Sequence, residues 1–311
     1  MLNLQPSVPL VPELYQYSND PRDMSNCTKY EEGMEQFAFV INEIHRATMP
    51  GRMTCVHCMD LKKTSTTQTD FPGDIVRLHQ EAGYGFFCRI TIWKDPWLIA
   101  RRTRVRSLQH KSLVGGAFKV RVAGPDYVLV FLKGGKDLEP IKHPTGLQTY
   151  AGENKVPEIF YDGDGRAHLA SEYDNYRGDQ RKNLRSHWMW RQYASPVWMD
   201  IRSGRLLPFA ESKETDEEKH VCPLQLDVIE RCLTLWSNPG DVVLTPFLGV
   251  GSEAYMAVLM KRRAIGIELK TSYFNQAKRN VKSALDGVPT EQANLQFDPG
   301  DMEDEDAEAM F

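Results

Sequence analysis

The sequence predicts an α/β fold, a mostly parallel twisted sheet with helices on both faces and one irregular insert. Three observations carry this reading. Segments of helical and strand period alternate up to about residue 133; residues 134–219 lose periodicity and collect Gly, Asp, Asn, Tyr and Trp; regular alternation then resumes. Such alternation favours a parallel sheet joined by crossover helices. At 311 residues the chain can bury a substantial core. Its formal net charge of -4 gives no global basic signal for nucleic acid. No secretory signal and no apolar run of spanning length is evident, so the cytoplasm is the expected compartment.

The elements follow in order. "YEEGMEQFAFVINEIHRAT" spaces Met34, Phe37, Val40, Ile41 and Ile44 at helical intervals and stops at "MPG". "MTCVHCMDL" follows as a strand. Its Cys55 and Cys58 resemble half of a metal site, yet no second Cys-x-x-Cys or His pair completes one. Free cysteines favour burial, so a core strand is expected and no metal. "DFPGDIVRLHQEAG" is a second helix with Gly83 past its end. "FFCRITIWK" and "DYVLVFLKG" are strong strands, separated by a basic connection. After the insert, "CPLQLDVIERCLTLW" reads as an amphipathic helix and "NPGDVVLTPF" as a turn into a buried strand. "SEAYMAVLMKR" is a helix, "RAIGIEL" a strand and "KTSYFNQAKRNVKSAL" a helix. The tail "DPGDMEDEDAEAMF" is strongly acidic and expected to be disordered.

The stretch "DVVLTPFLGVGSEAYMAVLMKRRAIGIEL" holds the most chemistry. Gly249 and Gly251 let the backbone approach a ligand with no Cβ in the way. The helix after them offers unpaired N–H groups, and Glu268 at the end of the next strand can accept both hydroxyls of a ribose. Ala254 stands where the dinucleotide fingerprint requires its third glycine, so a different nucleoside cofactor is indicated.

That pattern, with the "Tyr-x-x-x-Ala" of its last helix, resembles the cofactor half of DNA amino-methyltransferases. "KHVCPLQLDVIERCL" resembles the helix that precedes it there. The motif order resembles a permuted group of that family, with an amino-binding tetrapeptide first, a recognition insert next and the cofactor motif last. "PELYQYSN", "DFPGDI" and "ITIWKDP" resemble methylases carried by phages and prophages. The resemblance implies a Rossmann-like S-adenosylmethionine-dependent methyltransferase fold. It implies methyl transfer from S-adenosyl-L-methionine to the exocyclic amino group of adenine or cytosine in double-stranded DNA, as in restriction–modification. The units it implies are residues 1–133 and 220–285 as two halves of one catalytic domain, 134–219 as the target-recognition insert and 286–311 as the tail. Thr245, Phe247, Gly249, Gly251, Ser252, Glu268, His220 and Pro223 would line the cofactor. A homodimer is compatible with this reading.

The catalytic tetrapeptide would be Ser7-Val8-Pro9-Leu10, against the family's [Asp/Asn/Ser]-Pro-Pro-[Tyr/Phe]. Ser7 can still accept a hydrogen bond from the target amino group, and Pro9 keeps part of the rigidity. Val8 restores an N–H and loosens the loop. Leu10 keeps apolar contact with a flipped base but loses ring stacking, worth roughly 1–3 kcal/mol. Thr245 stands where the family has Asp. By the resemblance "LNLQ" would be a remnant of the tetrapeptide's own strand, and the strand and acidic turn that usually precede it lie outside the sequence, unless "NLQFD" near the C-terminus replaces the strand. These departures support an alternative, a DNA-binding relative without transfer activity.

Two segments suit DNA. "ARRTRVRSLQHK" concentrates Arg101, Arg102, Arg104, Arg106 and Lys111, as phosphate contact requires; a solvated loop is the plain alternative. Inside the insert, Arg177, Arg181, Lys182 and Arg185 interleave with Tyr176, Trp188 and Trp190. The tryptophans are expected to pack the insert's own small core.

Overall fold

The computed structural model describes residues 2–5, 20–64, 67–103, 108, 110–116, 122–135, 139–209 and 223–288, with backbone alone at 2–5, 101–103 and 111. The first half contains β1 (Leu2–Gln5), α1 (Tyr30–Ala47), β2 (Met53–Cys58), the short strands β3 (Leu61–Lys62) and β4 (Gln68–Thr69), α2 (Phe71–Glu81), β5 (Tyr84–Ile92), α3 (Pro96–Thr103), α4 (His110–Val114) and β6 (Asp126–Lys133). The middle holds β7 (Ile159–Tyr161), β8 (Ala167–Leu169), α5 (Leu184–Tyr193) and β9 (Val197–Trp198). The last part holds α6 (Leu226–Trp236), β10 (Val242–Thr245), α7 (Ser252–Leu259), β11 (Arg263–Gly266) and α8 (Thr271–Leu285).

Seven strands form one sheet in the order β11-β10-β1-β2-β6-β5-β9. Of these, β6 alone runs against its neighbours, pairing antiparallel with both β2 and β5. The sheet is therefore mixed, with six strands pointing one way. "LNLQ" is an interior strand, third from the β11 edge, parallel to β10 on one side and β2 on the other.

Alternation decides which residues reach which face. Cys55, Val128, Val130 and Val243 meet Leu226, Ile229, Cys232 and Tyr255 from α6 and α7. On the other face Val56, Cys58, Leu129 and Phe131 meet Phe37, Ile41, Phe71 and Ile75 from α1 and α2. Cys55 and Cys58 thus enter opposite cores, and the Cys-x-x-Cys spacing is a strand in a two-faced sheet. α2 starts where Asp70 accepts from the Gly73 N–H at 2.9 Å, and its chain turns at Gly83 with φ +98°.

The 134–219 stretch contains a hairpin and a helix, and its strand β9 joins the main sheet beside β5. This edge strand is two residues long. Arg231 of α6, fully buried, ties the stretch down. Its guanidinium bonds Asp200 Oδ1 at 2.8 Å and the Ala151 carbonyl at 2.8 Å, among the rings of Tyr150, Tyr193 and Trp198.

Candidate active site

The carboxyl ends of β10, β1, β2 and β5 lie on one edge of the sheet, and β6 begins there. In open α/β sheets this edge is where ligands bind. β10 ends at Thr245, and the chain turns through Phe247–Gly251 into α7. The Leu248 N–H donates to the Ile267 carbonyl at 2.8 Å, which fixes the turn to the end of β11. Glu268 reaches back, and its Oε2 accepts from the Gly249 N–H at 2.7 Å. Its Oε1 accepts from the Lys270 N–H at 2.9 Å. Burial pushes this carboxyl above its ordinary range, opposed by those backbone N–H groups. The carboxylate keeps acceptor capacity for a further donor.

The two glycines act differently. Gly249 has φ +53°, and a Cβ there would meet nothing within 4 Å. Gly251 has φ +92°, and its Cβ would stand 3.0 Å from that of Ala277. Gly249 leaves free space beside the turn; Gly251 admits α8. The Asn280 amide, itself held by Gln276, donates to the Val250 carbonyl at 2.8 Å and clamps the turn from α8. Neither Gln276 nor Asn280 is a residue the motif reading singled out. Ala277 was legible as the last position of "Tyr-x-x-x-Ala", and its contact with Gly251 gives that position its reason.

Two buried polar atoms beside the turn have no partner among the described residues: Thr245 Oγ1 and Glu253 Oε1. Glu253 lies in the first turn of α7, and burial carries its carboxyl up to about 8. Ser252 is also buried, and Phe247 packs its ring 6.2 Å from that of Phe37. An acid across from the turn, open space at Gly249 and orphaned polar atoms fit a nucleoside ligand with an amino-acid end. Pro223 is buried just before α6. Ser7, Val8, Pro9, Leu10 and His220 lie outside the described residues, as do Arg104 and Arg106. The strand that feeds the tetrapeptide ends on this edge between β10 and β2.

Residues 14–279 match the family model described as DNA methylase. The chain belongs to this DNA methylase family. M1.MboII, a type II methyltransferase of Moraxella bovis, is 41% identical over 58 residues, 19% of this chain and 22% of that relative. The matched stretch is thus about a fifth of the curated relative's length. TTHA0409 of Thermus thermophilus, solved in complex with S-adenosyl-L-methionine, has a TM-score of 0.54 at 17% identity, covering 93% of this chain and 87% of that one. The PvuII DNA methyltransferase, cytosine-N4-specific, has a TM-score of 0.52 at 13% identity, covering 99% and 83%. At these identities the two structures show a shared methyltransferase fold.

In this methylase-family fold the basic connection is anchored at the same edge, since β5 ends there at Ile92 and β6 starts there at Asp126. Arg101 and Arg102 fall on α3 and Lys111 on α4. In the middle stretch Arg181 is exposed and held by Asp179 at 2.9 Å, Arg185 pairs with Asp174, and Lys182 is exposed. Trp188 packs edge-on against Tyr150, whereas Trp190 is 54% exposed. The structure therefore brings the glycine turn, Glu268, Thr245 and the tetrapeptide's strand to one edge. Arg181, Lys182 and Arg185 belong to the separate 134–209 stretch.

Proposed function

We propose that the chain transfers a methyl group from S-adenosyl-L-methionine to the exocyclic amino group of adenine or cytosine in double-stranded DNA. The observation that carries this is the Glu268–Gly249 bond, an acid from one strand end gripping the glycine turn of the next, beside the strand that leads into Ser7. Glu268 would hold the ribose; Thr245, Phe247, Gly249, Gly251, Ser252, His220 and Pro223 would complete the pocket. The cofactor supplies an activated, positively charged methyl group. The protein's part is to hold the target nitrogen in line with it, by Ser7 and the backbone beside it, with Pro9 and Leu10 flanking the base. Residues 134–219 would read the target sequence between the two catalytic halves. The reading also places the protein in the cytoplasm of a bacterial cell, encoded by a phage or prophage, and admits a homodimer.

A second reading, a DNA-binding relative without transfer, draws on the departures at Val8, Leu10 and Thr245. One experiment separates the two. Calorimetry with the demethylated cofactor product should show binding that Glu268→Ala weakens at least tenfold. Tritiated methyl incorporation into mixed-sequence duplex should be measurable and should rise when Val8→Pro and Leu10→Phe restore the tetrapeptide. Product binding with zero incorporation would select the second reading; absence of product binding would refute the cofactor site.

A further inference from the structure

Glu253, in the first turn of α7, is a buried acid whose Oε1 has no partner among the described residues. Thr245 Oγ1, at the end of β10, is buried and unpartnered in the same way. So is Oε1 of Gln225, the residue before α6. The three border one core. Leu224 and Leu226, on either side of Gln225, share it with Val250, Tyr255 and Ala257, which bracket Glu253 along the chain. Val243 lies in that core too, and Thr245, two positions on, is on the same face of the sheet. Buried polar atoms are paired as a rule, and an acid without a partner is costly to bury. Each of these oxygens can accept a hydrogen bond, so what the region lacks is a donor.

From Val242 to Glu268 the sequence has two acids, Glu253 and Glu268 itself. Glu268 is engaged by the Gly249 and Lys270 N–H groups, and its remaining acceptor capacity suits a ribose. Glu253 is left for a cation. Under the methyl-transfer reading, on which this inference rests, the ligand of the turn carries an ammonium at its amino-acid end. We propose that Glu253 binds that ammonium, with Thr245 Oγ1 accepting a hydrogen bond beside it. The carboxyl passes its proton to solvent and the O–H electron pair stays on oxygen. The anion then pairs with the ammonium out of water, where such hydrogen bonds are strong. Burial is what keeps the carboxyl protonated, opposed by its own backbone N–H. A cation at Oε1 reverses that balance. Among the described residues no other charge acts on it. Asp227 and Arg231 of α6 pair with Arg202 and Asp200, and Lys278, Arg279 and Lys282 of α8 are exposed.

The test is calorimetry on the full chain with a pair of ligands. The demethylated cofactor product has the amino-acid end; methylthioadenosine keeps the nucleoside and the thioether and lacks that end. Glu253→Gln, the neutral isostere of the protonated acid, should weaken the product about tenfold or more, as loss of a charged hydrogen bond does. It should leave methylthioadenosine unchanged, which also reports an intact turn. Glu268→Ala should weaken both ligands, since both bring a ribose. At about pH 7 the parent should release nearly a full proton more than Glu253→Gln on binding product, read from the heats in buffers of different ionisation enthalpy. Methylthioadenosine should release equal amounts from the two chains. Product binding unchanged in Glu253→Gln, an equal loss for both ligands, or equal proton release with product overturns the proposal and leaves the cofactor reading standing. A parent that binds neither ligand overturns both.

Discussion

At the scale of single residues, Glu253 makes the sharpest statement. Its carboxyl is 1% exposed, and burial carries it up to about 8. The folded chain therefore keeps a proton there that the unfolded chain releases above the ordinary carboxylate range. Protons are bound more tightly by the folded state, so this group's contribution to stability is whole at acid pH and is lost as pH rises from about 5 through 8. Glu253→Gln removes that dependence. Its unfolding temperature should gain on the parent's as pH rises through that window, measured by thermal scans at fixed salt; a constant difference would show that Glu253 is ionised in the fold. The neighbouring Glu268 was legible in the sequence because its role is set by spacing along one strand–turn–helix–strand unit. The buried contact of His57 and Lys94 with Asp126 was not, because nothing local relates positions 57, 94 and 126.

At the scale of elements, the connection between β5 and β6 is the feature with a functional direction. Both ends lie on the edge that holds the glycine turn, so under the proposed function this connection is tethered where a duplex would have to present a base. Replacing Arg101 and Arg102 with Ala should weaken duplex binding across sequences. It should also flatten the slope of log affinity against log salt by roughly one for each phosphate no longer neutralised. An unchanged slope in filter binding or fluorescence titration would show that neither arginine meets a phosphate. Helices and strands of this connection's flanks were legible from periodicity: α1, α2, β5 and β6 fall where the apolar spacing put them. β9 was not, since two residues carry no period, and only its neighbours in space make it a strand.

Across the whole molecule, the 134–209 stretch is joined to the rest by β9 beside β5, by Arg202 and Arg205 on Asp227 of α6, and by Arg231. Arg231 is wholly buried in α6, yet its partners Asp200, Ala151, Tyr150, Tyr193 and Trp198 all lie in that stretch. The helix read as plainly amphipathic in the sequence, and an arginine on its buried side had no partner visible there. Arg231→Ala leaves Asp200 without its cation and should cost about 3 kcal/mol. Proteolysis should then cut within residues 139–209 before α6–α8, while product binding at the glycine turn persists. Simultaneous loss of both would mean that the two parts unfold as one unit.

The interior position of β1 has a consequence for how the chain comes to be folded. Leu2 pairs with Val243, so an interior strand joins the start of the described chain to a strand far along it. During synthesis β2 can pair with β1 early, but the other side of β1 waits, its backbone groups unmatched, until β10 has left the ribosome. Long-range pairing of this kind is slow and leaves intermediates with open strand edges. The nascent protein thus spends most of its translation with one side of this interior strand still open.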